Sequence, residues 1–190
     1  MKAMVLDAIG PLAENPSPLR PATLPDPTPG PGEVLLEIAA SGVCHTELDE
    51  IEGRTPPTEL PVVLGHQVVG RVAGAGEGAN RFRPGERVGV GWIFDACLEC
   101  RFCRAGNENL CSDFRATGRD VNGGYAQLMT VPEAFAYPIP ELFSDVEAAP
   151  LLCAGAIGYR SFRLTGLPQG QPLGLTGFGA SGHLVLQMVR

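Results

Sequence analysis

A chain of 190 residues with 14 basic against 21 acidic side chains, net −7, carries no charge match for a phosphate backbone. No dense cluster of Lys or Arg offers a local exception, so nucleic acid is excluded as a partner. Hydrophobic residues make up 44%, yet there is no run long enough to cross a membrane and no basic-then-apolar leader, which predicts a soluble, cytoplasmic protein without a membrane partner.

In chain order, AMVLDAI (3 to 9) and VLLEIAA (34 to 40) predict two strands. Residues 11 to 31 between them hold eight of the eighteen prolines and read as a stiff, extended connection. GHQVVGRVAGAG (65 to 76), ERVGVGW (86 to 92) and YAQLMTV (125 to 131) are Val- and Gly-rich and predict further short strands separated by tight turns. The first part of the chain therefore reads as mainly β, closing as a barrel or sandwich. Ser144-Asp145-Val146-Glu147 has the spacing of a capping box and predicts a helix start. Pro150 permits a second start, and LLCAGAIGYRSFRL (151 to 164) predicts a buried helix ended by Gly166 and Pro168. PLGLTGF (172 to 178) predicts a weak strand and SGHLVLQMVR (181 to 190) a helix.

Six cysteines without an export signal argue for metal rather than disulfides. Cys97, Cys100, Cys103 and Cys111 form a CxxCxxC run plus one further thiol, which suits a closed, four-thiolate zinc site of structural type. The loop from about 93 to 115 has little apolar content, so loss of the metal is expected to collapse it. Cys44, His66 and Cys153 remain. Two thiolates and an imidazole would leave a fourth zinc position open for a reactant, but taken singly Cys153 is more often a buried small hydrophobe than a ligand and His66 more often a core or loop histidine, and composition does not assemble them.

GVCHTELD, GHQVVG, CLECRFCRAGNENLC, GGYAQ and GFGASGH occur in the order and spacing of the zinc-dependent medium-chain alcohol dehydrogenases. The chain resembles that family over essentially its whole length, and within it the bacterial branch that prefers short-chain alcohols such as propanol. The resemblance implies a GroES-like, mainly β catalytic barrel with some helix over residues 1–150, including the structural zinc lobe at about 93–115. A connecting helix and the first βα unit of a truncated α/β Rossmann domain would follow over 151–190. It implies two zinc ions per chain, one on Cys44, His66 and Cys153, where catalysis takes place, and one on Cys97, Cys100, Cys103 and Cys111. It further implies NAD or NADP as cofactor, a small alcohol or aldehyde as substrate, and homo-oligomers of the full-length enzyme. By motif, Thr46 matches the hydroxyl that takes the alcohol proton and Glu47 the acid that buttresses the histidine ligand. His45 matches a contact to the cofactor pyrophosphate. Trp92 and Phe94 are the expected walls of an apolar pocket.

The sequence departs from many relatives at two positions. Gln67 stands where they carry glutamate, which predicts a more positive metal pocket. Asp49 stands where they carry the histidine that ends the proton relay, and is the candidate acceptor here. Gly177, Gly179 and Gly182 fit GxGxxG between a strand and a helix, a pattern that brings a pyrophosphate to a helix N-terminus. The residue that would select NAD or NADP is expected beyond Arg190. One βα unit alone is expected to leave Leu184, Val185 and Met188 exposed. The chain therefore reads as the N-terminal, catalytic portion of an alcohol dehydrogenase. The alternatives are a non-catalytic zinc-binding fragment, or a polyol, formaldehyde or cinnamyl-alcohol dehydrogenase of the same superfamily.

Overall fold

The computed structural model describes residues 1–190. Its centre is a five-stranded antiparallel sheet of order β10-β6-β5-β3-β9, built from β3 (Glu33–Ser41), β5 (Val68–Ala75), β6 (Arg87–Val90), β9 (Leu128–Pro132) and β10 (Ala136–Pro138). Alternation drives it: Val34 and Leu36 of β3 are fully buried, and so are Val68, Val88, Val90 and Val131 from the other strands. These side chains form one cluster of 15 buried residues on the inner face, each contributing roughly 1.5–3 kcal/mol of transfer free energy for a Val- or Leu-sized group. Register shifts between Leu35 and Leu36 and between Ile38 and Ala40 bend β3 against β5, the kind of local kink that curls a flat sheet toward a half-barrel.

A second sheet of order β2-β1-β4 joins β1 (Lys2–Leu6), β2 (Leu19–Thr23) and β4 (Val62–Val63). It is tied to the larger sheet where the Met4 N–H donates to the Tyr125 carbonyl at 2.8 Å and Ala3 bridges Ala126. The proline-rich connection is thus not merely extended; it contributes β2, with Pro21 opposite Met4. An edge strand tolerates the missing N–H because its outer side has no neighbour to receive it.

A short helix, α1 (His45–Ile51), follows β3 and packs Glu47, Glu50 and Ile51 inward. The segment 93–116 leaves the sheet as a two-stranded ribbon, β7 (Ile93–Asp95) with β8 (Arg115–Ala116), enclosing two 3-10 turns at Cys103–Ala105 and Glu108–Leu110. Phe94, Ala96, Cys103 and Cys111 belong to the main core cluster. The lobe is therefore anchored to the barrel, a correction to the expectation that it carries little apolar content.

Ser144 caps α2 (Asp145–Ala148): its Oγ accepts from the Glu147 N–H, and Glu147 Oε2 accepts from the Ser144 N–H at 2.9 Å. A 3-10 turn at Ala149–Leu152, with Pro150 in its first turn, leads to α3 (Ala154–Thr165), which ends at left-handed Gly166. This helix is less buried than its composition predicts. Ile157, Tyr159 and Leu164 are exposed while Ala154, Gly155 and Gly158 face inward. Residues 172–178 form no strand, because no neighbouring strand lies beside them to take their hydrogen bonds. The helix after them, α4 (Ala180–Met188), docks on α3. Val185 is buried, its Cγ2 filling the place a side chain at Gly158 would occupy, and Leu184 is half-buried, so of the three expected exposed side chains only Met188 is. No helix is long and apolar enough to cross a membrane.

Candidate functional site

Two clusters of donor atoms stand out. In the first, the sulfurs of Cys97, Cys100, Cys103 and Cys111 all lie within 4.8 Å of one another. The pairs Cys97–Cys103, Cys100–Cys103 and Cys97–Cys111 are 3.9, 3.6 and 3.5 Å apart, close to the ~3.8 Å edge of a tetrahedron with 2.3 Å zinc–sulfur bonds. Backbone N–H groups of Cys100, Cys103 and Asp113 donate to the sulfurs of Cys97, Cys100 and Cys111. The turn requires left-handed backbone at Leu98, φ 59°. The Cys103 N–H on its sulfur helps hold the Cys100 thiol down to about 7, whereas burial and the neighbouring thiols push Cys103 up to about 12. Four thiols this close do not all ionise without a cation among them.

The second cluster joins three distant pieces of chain: Cys44 at the start of α1, His66 between β4 and β5, and Cys153 between the 3-10 turn and α3. Cys153 sits at the break itself, φ −125° and ψ −75°, rather than inside a helical turn. Gly91 makes this approach possible, since a Cβ there would lie 2.9 Å from the Leu152 carbonyl oxygen. Cys44 Sγ and Cys153 Sγ are 3.8 Å apart. Their contact lowers Cys44 to about 3, with help from His66, and pushes Cys153 up, burial adding to the shift. Burial alone would lower His66, but Cys44 and Glu47 carry it up to about 9. Without a metal, then, one thiolate is balanced by imidazolium. Ionising both thiols needs more positive charge. His66 is 1% exposed and its Nε2 has no hydrogen-bond partner, a costly state for a buried polar atom unless a ligand takes it. Two sulfurs and one orphaned imidazole nitrogen are a donor set that fits zinc with a position to spare.

Glu47 links two of these donors. Its Oε2 accepts the Cys44 N–H at 2.7 Å and its Oε1 lies 2.6 Å from His66 Nδ1. Gly65 precedes the histidine with φ +100°, and the Tyr125 ring occupies the space its side chain would need, 2.7 Å from an ideal Cβ. The Trp92 ring meets His66 edge-on at 5.1 Å and also carries the Arg119 guanidinium, 5.4 Å from its centroid. Arg119 is in turn held by Asp120 at 2.7 and 3.0 Å. Phe94, expected beside Trp92 as a pocket wall, is buried in the barrel core with Arg115 over its ring. Trp92 lies just outside β7, so strand alternation does not carry Phe94 to its side.

Thr46 Oγ1 lies 3.6 Å from Cys44 Sγ, where its hydroxyl can donate to the thiolate, so the predicted hydroxyl stands beside the donor set. His45 and Asp49 lie one turn apart on the outer side of α1, 3.8 Å from each other, and Asp49 is also paired with Arg54. Gly177, with φ +77°, and Gly179, the N-cap of α4, make the turn into that helix. A side chain at Gly182 would approach the Gly177 carbonyl oxygen to 3.0 Å. Sequence reasoning missed Glu50, Tyr125, Arg119 and Arg54. Glu50 had a signal, since Glu47, Glu50 and Ile51 are spaced i, i+3, i+4 and share the buried face of α1. Tyr125 lies in the GGYAQ motif, which gives it no role, and Arg119 had no signal, being placed by a loop.

Comparison with known proteins agrees with this geometry. Residues 30–141 match the alcohol dehydrogenase GroES-like domain. The chain is 48% identical over 176 residues to a probable alcohol dehydrogenase, AdhA, of Mycobacterium tuberculosis, covering 90% of this chain and 51% of that protein. It is 39% identical over 160 residues to an alcohol dehydrogenase of Geobacillus stearothermophilus, covering 84% and 47%. The chain thus spans about half the length of the curated relatives it matches. Among solved structures, a cobalt- and zinc-bound thermostable alcohol dehydrogenase of Pyrobaculum aerophilum superposes with a TM-score of 0.90 at 26% identity, over 100% of this chain and 56% of that one. A cinnamyl alcohol dehydrogenase of Sorghum bicolor superposes at 0.86 with 31% identity, over 99% and 54%. The match of the GroES-like domain and of these relatives places the chain in the family of zinc-dependent medium-chain alcohol dehydrogenases.

Proposed function

We propose that this chain carries the catalytic metal pocket of an alcohol dehydrogenase that interconverts short-chain primary alcohols and aldehydes with NAD or NADP. The observation that carries the reading is the convergence of Cys44, His66 and Cys153, with the buried His66 Nε2 lacking any protein partner. These three residues would hold one zinc ion, and Cys97, Cys100, Cys103 and Cys111 a second.

Bound zinc supplies Lewis acidity toward an alcohol or carbonyl oxygen, and the nicotinamide accepts or returns the hydride. The chain's own residues prepare that chemistry. Glu47 bonds to the Cys44 backbone and keeps the His66 ring in one orientation, so that Nε2 is the free donor. Thr46 Oγ1 accepts the alcohol proton and hands its own outward, toward the Asp49 carboxylate on the solvent side of α1. Trp92 walls the pocket against water and, through its edge contact, fixes the far side of His66. His45, exposed on α1, meets the cofactor pyrophosphate, and the glycines at 177, 179 and 182 leave the N-terminus of α4 open to it. In the assembled enzyme a homo-oligomer is expected.

Metal analysis tests the first part: two zinc ions per chain support both sites, and one alone removes the catalytic pocket from the reading. Turnover of propanol with NAD⁺ and NADP⁺ by this chain and by a form as long as its relatives tests the second. Cinnamyl alcohol in the same assay separates the short-chain preference from the aromatic one. Absence of turnover with any alcohol in the longer form would overturn the proposal.

A further inference from the structure

Glu50 is fully buried, with neither carboxyl oxygen hydrogen-bonded. A carboxyl hidden from water with no partner costs several kcal/mol if it is charged, so a fold keeps one only with a proton or with compensation nearby. The groups around it are Glu47 on α1, His66 after β4, Cys44 at the head of α1, Arg119 in the loop after β8, and the buried Tyr125 hydroxyl, which is also drawn to Glu47. Only Arg119 is a fixed cation, and two of its nitrogens are spent on Asp120.

Glu50 lies three residues from Glu47, and positions i and i+3 of a helix are neighbours on one face. Resting on the metal-pocket reading above, we propose that Glu50 is a positioning residue: a neutral acid behind Glu47 whose O–H donates to the Glu47 carboxylate and holds it against His66 Nδ1. Glu47 then meets the Cys44 N–H, the imidazole and the Glu50 hydroxyl together, which leaves it one orientation. The direction of the Glu50 titration agrees, because burial first and the Glu47 charge second push it up to about 8. Gln67 is also buried and neutral. The pocket thus keeps a second carboxyl group, on α1 rather than beside the histidine, and in its neutral form it adds no charge to the one lost at Gln67.

The test uses Co²⁺ alone as the probe, titrated into the metal-free 190-residue chain against a competing chelator and followed by its thiolate and d–d absorption bands. Glu50→Gln keeps a donor of the same shape; Glu50→Leu fills the space without one. The expected result is two Co²⁺ sites in the wild type. Affinity at the Cys44–His66–Cys153 site should hold within about threefold in Glu50→Gln and fall about tenfold or more in Glu50→Leu, with altered d–d bands. Thermal melting reports the fold of the barrel in every variant, and the four-cysteine site should not change. A purely structural role predicts the opposite for Glu50→Leu, since replacing an unpaired buried carboxyl by an apolar group of similar size is neutral or stabilising. Equal affinity and spectra in all three proteins would therefore overturn the proposal. A wild type that binds one Co²⁺, with Cys44→Ser unaffected, would overturn the metal-pocket reading itself.

Discussion

The two donor clusters use nearly the same chemistry and are built in opposite ways. The four-cysteine site is local: its donors fall within fifteen consecutive residues, and N–H groups of the same loop, as far as Asp113, aim the sulfurs. The Cys44–His66–Cys153 site is global, with its two sulfurs 109 positions apart in sequence and contributions from α1, the connection between β4 and β5 and the approach to α3. The local site should depend on its metal for its shape, whereas the global site should have its shape imposed by the barrel. Metal removal tests that contrast with the largest effect. Zinc-finger peptides gain about 10–16 kcal/mol from a structural zinc. Chelation here should release residues 97–113 into rapid amide exchange while β3, β5 and β6 stay protected. Phe94 and Ala96 remain in the core and should limit the loss to the loop. Exchange spreading through the five-stranded sheet would show that the lobe supports the barrel instead.

Substitution of single donors sharpens the same contrast at the other site. Cys153→Ser should lower metal content from two ions to one and abolish turnover in the longer enzyme, with the melting temperature moved by only a few degrees. His66→Ala should be worse. It removes the partner of buried Glu47, and breaking a buried pair on one side costs about 3–5 kcal/mol. Thermal melts with metal analysis distinguish the two. A Cys153→Ser chain that fails to fold would mean that this site too is held together by its ion.

Gly65→Ala attacks the scaffold of the global site without touching a donor. The backbone at φ +100° is unfavourable for alanine, and the new methyl would meet the Tyr125 ring at 2.7 Å. A loss of about 1–3 kcal/mol follows from the backbone conformation, together with weakened Co²⁺ binding at the Cys44 site and an unaltered four-cysteine site. Weakening of both sites by the same factor would refute the separation between them.

The same contrast explains what could be read from the sequence. CxxCxxC specifies a local turn, so the lobe and the convergence of its sulfurs follow from spacing. The strands of the barrel were legible as Val-rich alternation, and Ser144 and Glu147 named their helix. Cys44, His66 and Cys153 could be grouped only through resemblance, because nothing local records that Gly91 admits the Leu152 carbonyl or that Glu47 reaches two ligands at once. The docking of Val185 on Gly158, and the missing strand at 172–178, were hidden for a related reason: each depends on which partner is present, and a linear pattern shows propensity without partners. Pro21 misled in the other direction, since proline argues against a strand only where both edges are paired.

A pH-dependent effect is expected at Glu50 in the metal-free chain. Its folded carboxyl is raised from the ordinary 4.5 to about 8, through burial and then the Glu47 charge, with His66 and Arg119 opposing. The folded chain therefore holds a proton there that the unfolded chain releases. The stability linked to that proton is fully present below about 4.5 and is lost as pH rises through about 8. The amide of a Glu50→Gln chain stays neutral throughout, so that chain should gain on the wild type progressively between those two values and hold a constant advantage above them. Cys44 and His66 titrate in both chains, and their contributions cancel in the difference as long as the substitution leaves them in place. Urea unfolding of the two proteins at a series of pH values, with metal removed, measures that difference directly. A difference that does not vary with pH would mean that Glu50 ionises in the fold as it does in water, and that its burial is relieved by a cation or by solvent rather than by a proton shared with Glu47.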